Sequence, residues 1–314
     1  MTANHILIIG GGAIGMPVAE RFCSSHVVTV IKRSLPTVKD HTLNLPVKLA
    51  DIRDQDSLLN ALPDKIDYVL VCISPYQYSK EAYHLTFVVG IENLIQVLRR
   101  KNIIPKRVFF VSSTSIYHQS NGEEVDEQSV VKPASFASQC LKVAENRLLD
   151  SRLPATCVRF SGIYGGRRTR LIERVTSGRA QLSAANHLTN RIHESDCIGV
   201  LCHLLQLAMK GASLDSMYLA TDNLPVPINT VLKWLAAQLG KPLLTGDEKA
   251  DRQKTTNQAT REQQDKELTT GKQPKRKVGS KRCSNRKLLA TGYTFAYPTY
   301  KEGYSMMLKR IRVP

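Results

Sequence analysis

The sequence predicts an α/β fold: a Rossmann-type doubly wound parallel sheet with a smaller C-terminal lobe on the substrate side. Three observations support this prediction. A glycine-rich turn directly follows the first apolar segment. Short apolar segments then alternate with amphipathic ones as far as about residue 162. Beyond that point the alternation is less regular, which marks the change from sheet to lobe.

The first apolar segment and its turn predict a dinucleotide-binding site. His5-Ile-Leu-Ile-Ile9 has the pattern of a buried strand, and Gly10-Gly-Gly-Ala-Ile-Gly15 follows it. Glycines at this spacing allow a tight turn, close approach of the backbone to a pyrophosphate, and close packing of the next helix on the strand. The N–H groups at the start of that helix then hold the phosphates. We therefore expect contacts to a dinucleotide from Gly10, Gly12, Ala13, Ile14 and Gly15.

The other elements follow from hydrophobic periodicity. Short apolar segments predict strands with helices on both faces, at residues 6–9, 27–31, 47–49, 68–73, 108–112 and 156–160. Helical spacing of apolar residues predicts helices at 15–24, 55–61, 85–101 and 136–151. In the lobe we expect helices at 170–178, 195–209 and 229–239 and a strand at 217–219. The predicted domains are a cofactor-binding domain, 1–162, and a lobe formed by 163–244 and 279–314.

The net charge of +17 over 314 residues is unevenly distributed. Residues 245–278 are rich in Lys, Arg, Gln and Thr and poor in large apolar residues, so we expect a disordered basic insertion there. The cluster Lys275-Arg276-Lys277 is of a kind that contacts nucleic acid. No aromatic residues that would stack on bases accompany it, so we expect a solvated loop and no nucleic-acid partner.

The remaining composition predicts a globular protein of the cytoplasm. No apolar run approaches the roughly 20 residues that span a bilayer, and we find no basic leader with an apolar stretch. We therefore expect neither a membrane segment nor secretion. The seven cysteines are scattered and form no Cys-x-x-Cys pair, which favours reduced thiols and predicts no metal site.

The end of the second predicted strand indicates which dinucleotide binds. An acidic residue there would bind the ribose hydroxyls of NAD, whereas a basic one favours the 2′-phosphate of NADP. The chain runs Val28-Thr-Val-Ile-Lys-Arg-Ser34, with no acid before Lys32 and Arg33. Arg33 is able to contact a phosphate through two N–H groups. We expect NADP in preference to NAD; the alternative is that both basic residues are solvent-facing turn residues.

Four further motifs resemble those of the extended short-chain dehydrogenase/reductases, the NAD(P)-dependent epimerase/dehydratase family. Ala50-Asp51-Ile52 resembles the family's adenine-contacting pair after the third strand. Val111-Ser-Ser-Thr-Ser-Ile-Tyr117 resembles a strand-end segment, Val158-Arg-Phe-Ser-Gly-Ile-Tyr-Gly-Gly166 resembles R-x-x-x-x-Y-G-P-G, and Asn190-Arg-Ile-His-Glu-Ser-Asp196 resembles R-I-H-x-x-D. The resemblance covers residues 4–244 and resumes near 281–304.

This resemblance implies the rest of the site. Further cofactor contacts are implied at Asp51, Ile52, Ser74 and Ser112. A small-molecule substrate is implied, and a homodimer formed through the helices at residues 85–101 and 136–151. A basic cluster at 167–170 suggests that the substrate is anionic; the alternative is a basic surface patch.

The catalytic residues of the family are matched only in part. A Ser or Thr hydroxyl orients the substrate in that family, and Ser113 matches it. A Tyr-x-x-x-Lys pair on one helix face exchanges the proton, but the family pattern Y-x-x-S-K-x-x-A-E places Ala137 and Leu141 at those two positions. Neither side chain exchanges a proton. The sequence therefore resembles the atypical, YeeZ-like branch of the superfamily, which lacks the pair.

Two functions remain open. An oxidoreductase or sugar-nucleotide-modifying enzyme would need a substitute acid from Tyr117, Tyr164 or His193, each of which has a structural alternative as pocket lining or helix cap. A tyrosine titrates near pH 10, so it would need a nearby positive charge such as Arg167 or Arg168. A binding protein that senses NAD(P) without turnover would need only the glycine loop, Arg33 and Asp51.

Overall fold

The computed structural model describes residues 3–34, 45–243 and 279–312. Its strands are β1 His5–Ile9, β2 Val27–Lys32, β3 Val47–Leu49, β4 Tyr68–Val71, β5 Arg107–Ser113, β6 Glu123–Val125, β7 Ala155–Phe160, β8 Gly162–Tyr164, β9 Leu188–Thr189, β10 Arg191–His193, β11 Met217–Ala220, β12 Val226–Pro227 and β13 Lys281–Cys283. Its α-helices are α1 Gly15–Phe22, α2 Gln55–Ala61, α3 Lys80–Tyr83, α4 Gly90–Arg100, α5 Phe136–Asp150, α6 Arg170–Thr176, α7 Glu194–Met209, α8 Ile228–Leu239, α9 Arg286–Ala290 and α10 Tyr300–Arg312. The predicted basic insertion, 245–278, lies outside the described residues.

Seven strands form one parallel sheet in the order β3-β2-β1-β4-β5-β7-β11. The chain winds in one direction from β1 to β3 and in the other from β4 onward. This reversal makes a switch point between β1 and β4, where doubly wound sheets bind ligands at the carboxyl ends of their strands. The predicted α/β fold is confirmed.

Helices cover both faces of the sheet, and β1 shows how. Ile6 and Ile8 pack in one apolar cluster with residues of α1 and α7, whereas Leu7 and Ile9 pack in a second cluster with residues of α4 and α5. Successive side chains of a strand point to opposite faces, so a strand buried on both sides is apolar throughout. This is why the predicted strands read as continuous apolar runs.

The helical segment predicted at residues 85–101 starts earlier in the structure, at Lys80, and it contains an irregular turn. A π-helical stretch at His84–Val89 joins α3 to α4. The Ser79 hydroxyl caps α3 by accepting a hydrogen bond from the Ala82 N–H at 3.1 Å. A π turn takes more residues than an α turn, so the spacing of apolar residues shifts there and hides the first helical turns from a periodicity reading.

The strand predicted for the lobe at 217–219 lies instead in the main sheet. It is part of β11, which pairs with β7 from Met217↔Cys157 to Ala220↔Phe160. The main sheet therefore takes strands from both sides of the predicted boundary at residue 162. The lobe has its own core, formed by residues of α6, α8 and α10 around Tyr164. No helix among the described residues is long and apolar enough to cross a membrane.

Candidate cofactor site and active site

The glycine loop has the geometry that its sequence predicts. Gly10 has a φ of +104°, and a Cβ there would collide with the Cys72 carbonyl. A Cβ at Gly15 would collide with the Gly10 carbonyl, so only a glycine fits at the first residue of α1. In contrast, a Cβ at Gly12 would meet no atom within 4 Å. The loop is thus closely packed on its inner side and open at the glycine that faces the crevice.

A cavity of about 270 Å³ lies at this switch point, at the carboxyl ends of β1 to β4. It is lined by Ile9, Gly10, Gly11, Gly12, Ile31, Lys32, Arg33, Ser34, Ala50, Asp51, Ile52, Arg53, Cys72, Ile73, Ser74 and Thr86. Six residues predicted to contact the cofactor are therefore in its wall: Gly10, Gly12, Arg33, Asp51, Ile52 and Ser74. Ala13, Ile14 and Gly15 belong to the loop and to the start of α1 beside it.

Two arginines, Arg33 and Arg53, line the end of the cavity that lies next to β2 and β3. The carboxylate of Asp51 accepts hydrogen bonds from Nε and Nη2 of Arg53, the latter at 2.6 Å from Oδ2. These bonds hold the pKa of Asp51 below its usual value. The guanidinium carbon of Arg53 lies 5.1 Å from the centre of the Tyr76 ring, and that of Arg33 lies 5.8 Å from the same ring. Arg53 and Tyr76 were not predicted, although Arg53 follows the Asp51-Ile52 motif directly.

The cavity wall also contains a buried hydroxyl without a partner. Thr86 lies in the π-helical stretch, and its Oγ1 makes no hydrogen bond to any described residue. A buried hydroxyl without a partner is costly, and π turns are frequent at functional sites. The open space above Gly12 and the unpaired Thr86 hydroxyl therefore fit a polar ligand of dinucleotide type. No sequence signal pointed to Thr86, because its exposure to the cavity depends on the π turn.

A buried polar network supports the end of β5. Glu145 of α5 and Arg159 of β7 form a bidentate ion pair. The Ser112 hydroxyl donates a hydrogen bond to Oε1 of Glu145 at 2.6 Å. Nη1 of Arg159 donates to the Tyr117 hydroxyl at 2.6 Å, and that hydroxyl donates to the Asp126 carbonyl at 2.7 Å. Burial raises the pKa of Tyr117. The structure thus places Ser112 and Tyr117 in one interior network.

Ser113, the next residue, is partly exposed at the last position of β5. Its Oγ accepts a hydrogen bond from the Ser115 N–H at 3.1 Å and so caps a short 3₁₀ turn, Thr114–Ile116. Because this oxygen acts as an acceptor towards the backbone, its own proton remains free to be donated to a ligand.

Tyr164 and His193 lie together at the border of the lobe. Their ring centres are 5.3 Å apart, and the His193 ring also packs against Tyr297 at 4.0 Å. The Tyr164 hydroxyl donates to the Thr299 carbonyl at 3.4 Å, and burial raises its pKa. Nδ1 of His193 accepts the Ser195 N–H and caps α7, and burial lowers its pKa.

The two positions that correspond to the family's proton-transfer pair are both apolar and buried. Ala137 and Leu141 lie four residues apart on α5, and both belong to the buried surface of that helix. Lys142, the next residue, is only partly buried. Glu145, one turn further along, makes the ion pair with Arg159. The buried face of α5 therefore carries packing residues at its start and a structural carboxylate near its middle.

The sequence of residues 6–206 matches the model of the NAD dependent epimerase/dehydratase family. The protein belongs to this family. A comparison with curated protein sequences finds no match.

Solved structures of similar proteins agree with this fold. An NAD-dependent epimerase/dehydratase structure from Methylobacillus flagellatus is 29% identical, with a TM-score of 0.75, and the likeness covers 99% of this chain and 100% of that one. A UDP-glucose 4-epimerase from Thermotoga maritima, solved with UDP-glucose, is 16% identical with a TM-score of 0.75 over 98% of both chains. WbmG from Bordetella bronchiseptica, solved with NAD and UDP, is 16% identical with a TM-score of 0.75, covering 98% of this chain and 94% of that one.

Proposed function

We propose that this epimerase/dehydratase family member binds NADP(H) and transfers a hydride between it and a small anionic substrate. The cavity at the switch point is the observation that carries the proposal. Its glycine loop faces open space at Gly12, and its ribose end presents the Arg33 side chain. Asp51 is the only carboxylate among the described lining residues, and it is paired with Arg53. A basic ribose end favours the 2′-phosphate of NADP.

In this proposal the chain supplies binding and orientation. A nicotinamide cofactor bound there would supply the hydride chemistry. Gly12 lets the backbone approach the pyrophosphate, and Ile52 and Ser74 flank the cofactor in the cavity wall. The Ser113 hydroxyl donates its free proton as a hydrogen bond to the substrate oxygen and fixes the substrate at the end of β5.

The two candidate tyrosines have supporting roles in this proposal. The Tyr117 hydroxyl is held by Arg159 and the Asp126 carbonyl, and burial raises its pKa. Burial also raises the pKa of Tyr164, which packs in the core of the lobe. A general acid works best with a pKa near the working pH. In this proposal neither tyrosine therefore supplies the proton that accompanies hydride transfer.

An anionic substrate of the sugar-nucleotide kind agrees with the charges near the lobe. Arg167 and Arg168 are exposed in the segment between β8 and α6, Arg170 is exposed at the first position of α6, and Arg168 pairs with Glu194. Relatives of this fold were solved with UDP-glucose and, in the case of MoeE5, with UDP-glucuronic acid. Phosphate groups of such ligands would meet guanidinium groups here.

Binding and turnover are tested separately. Fluorescence titration with NADPH and NADH should show tighter binding of NADPH, and equal or tighter binding of NADH would overturn the cofactor assignment. Absorbance at 340 nm should then report NADPH oxidation with at least one member of a panel of sugar nucleotides, aldehydes and ketones. Ser113→Ala should remove that turnover while leaving the Kd for NADPH unchanged.

A second candidate function is an NADP(H)-binding regulator without turnover. The specific observation in its favour is that Ala137 and Leu141, both buried, stand where the family pattern has its proton-transfer pair. Such a protein would still need the glycine loop and Arg33. Tight NADPH binding combined with no turnover on the whole panel would favour this function over the enzyme.

A further inference from the structure

We infer that Arg53 is a second ligand for the 2′-phosphate of NADP, and that Asp51 positions Arg53 instead of binding the ribose. The inference rests on the proposed function, because it concerns which residues of the same cavity select the cofactor. It rests on three relationships: the Asp51–Arg53 pair, the contact of two arginines with one tyrosine ring, and the groups that remain free to bind a ligand.

Three N–H groups of Arg53 already occupy most of the acceptor sites of Asp51. Oδ1 accepts the Arg53 backbone N–H at 3.0 Å and its Nε at 2.9 Å, and Oδ2 accepts Nε at 3.0 Å and Nη2 at 2.6 Å. A carboxylate offers about four lone-pair sites. A ribose hydroxyl of NAD would have to compete with Arg53 for this carboxylate, so Asp51 is poorly suited to read that hydroxyl.

The Tyr76 ring orients both guanidinium groups. The carbons of Arg53 and Arg33 lie 5.1 and 5.8 Å from the ring centre, within the range of a cation–π contact. Tyr76 is 47% exposed, so it lies at the protein surface and not in the core. Arginines held in this way lose little side-chain freedom when a ligand binds, which strengthens binding.

The free donors at this end match a dianion. In the part of the chain that the structure describes, Arg33 makes no ion pair, and Nη1 of Arg53 makes no hydrogen bond. Two guanidinium groups against one carboxylate leave an excess positive charge in the cavity wall. A phosphate monoester accepts several charge-assisted hydrogen bonds from such groups, whereas a ribose hydroxyl accepts few and weaker ones. The chemistry therefore selects a 2′-phosphorylated adenosine.

The first test measures Kd values of NADPH, NADH and the fragment 2′,5′-ADP for the full chain and for Arg33→Ala, Arg53→Ala and Arg100→Ala. Loss of either phosphate ligand should weaken NADPH and 2′,5′-ADP about tenfold to a hundredfold and change NADH less than threefold. Arg100, an exposed residue of α4 outside the cavity wall, is the matched control and should change nothing. An unchanged ratio of NADPH to NADH affinity in Arg53→Ala would overturn the inference and leave the cofactor assignment standing. A wild-type chain with no preference for NADPH would overturn both.

The second test separates the two roles of Asp51. If Asp51 positions Arg53, Asp51→Asn should weaken NADPH about threefold to tenfold, because Arg53 loses its two-bond anchor, and should leave NADH unchanged. If Asp51 instead binds the ribose, the same variant should weaken NADH at least as much as NADPH, and this result would overturn the inference. Arg53→Lys keeps the charge without the planar two-bond geometry and should fall between the wild type and Arg53→Ala. Thermal unfolding of each variant checks that the fold is intact.

Discussion

Arg159 and Glu145 form a two-bond ion pair that is closed to solvent, with Nε–Oε1 at 2.9 Å and Nη2–Oε2 at 2.7 Å. Their side chains are 3% and 0% exposed. The pair joins β7 to α5, and through Ser112 it also fixes the end of β5, directly before Ser113. The position of the proposed substrate-orienting hydroxyl thus depends on an ion pair buried in the protein interior.

Removing one partner of this pair should be costly. Glu145→Ala leaves the Arg159 charge buried without its counter-ion, and we expect a loss of about 3–5 kcal/mol in the free energy of unfolding. Urea denaturation measures it. The double variant Glu145→Leu with Arg159→Met removes both charges and should recover most of the loss. A single variant within 1 kcal/mol of wild type would contradict the interior position of the pair.

Two alanine substitutions in the glycine loop should have different effects. At Gly12 the added methyl group enters open space, so Gly12→Ala should fold with an unchanged midpoint of thermal unfolding but lose NADPH binding, because the pyrophosphate needs that space. At Gly15 the methyl group would collide with the Gly10 carbonyl, so Gly15→Ala should lower the midpoint as well. Calorimetry with and without NADPH distinguishes the two. Full NADPH affinity in Gly12→Ala would place the pyrophosphate elsewhere.

Tyr117→Phe should affect stability and not proton transfer. The variant loses the bonds to Arg159 and to the Asp126 carbonyl, and we expect a loss of about 1–3 kcal/mol in unfolding free energy. The rate of NADPH turnover at 25 °C should stay within about threefold of wild type. A hundredfold fall in kcat without a change in stability would instead identify Tyr117 as the acid.

Asp222 should make stability depend on pH. It is 2% exposed, its Oδ2 has no hydrogen-bond partner among the described residues, and burial raises its pKa to about 7. In the unfolded chain its pKa is about 3.9, so between about pH 4 and 7 the native state holds a proton that the unfolded state releases. The free energy of unfolding should therefore fall as pH rises through this window, by about 1.4 kcal/mol per pH unit at most.

The control for this prediction is Asp222→Asn, which keeps an acceptor for the Leu224 N–H but does not ionise. Its stability relative to wild type should increase from pH 5 to pH 8, measured by urea denaturation at each pH. A constant difference across that range would mean that Asp222 is already ionised in the native state at pH 5, which would contradict the prediction.

The fold and the position of the glycine loop at the switch point were largely predictable, because their signals are local. The glycine spacing and the apolar strands are read from neighbouring residues, and the structure confirms the sheet they predict. The other features depend on distant parts of the chain. The Tyr117 hydroxyl is held by Arg159, 42 residues away. The Arg33–Tyr76–Arg53 contact brings together the ends of three strands. The domain boundary, the homodimer and the catalytic residues stay predictions.

The position of β11 restricts how this protein can be divided or can move. The chain leaves the sheet after β7, builds part of the lobe, and returns to place β11 against the outer edge of β7. A fragment that stopped at residue 162 would uncover that edge, whose free N–H and C=O groups would be open to pairing with other chains. Because the chain passes from the sheet to the lobe, back to β11 in the sheet, and out again, no single segment joining sheet and lobe can act as the hinge. Closure of the lobe over a ligand would have to come from bending in the segments on both sides of β11, with the strand itself remaining in the sheet.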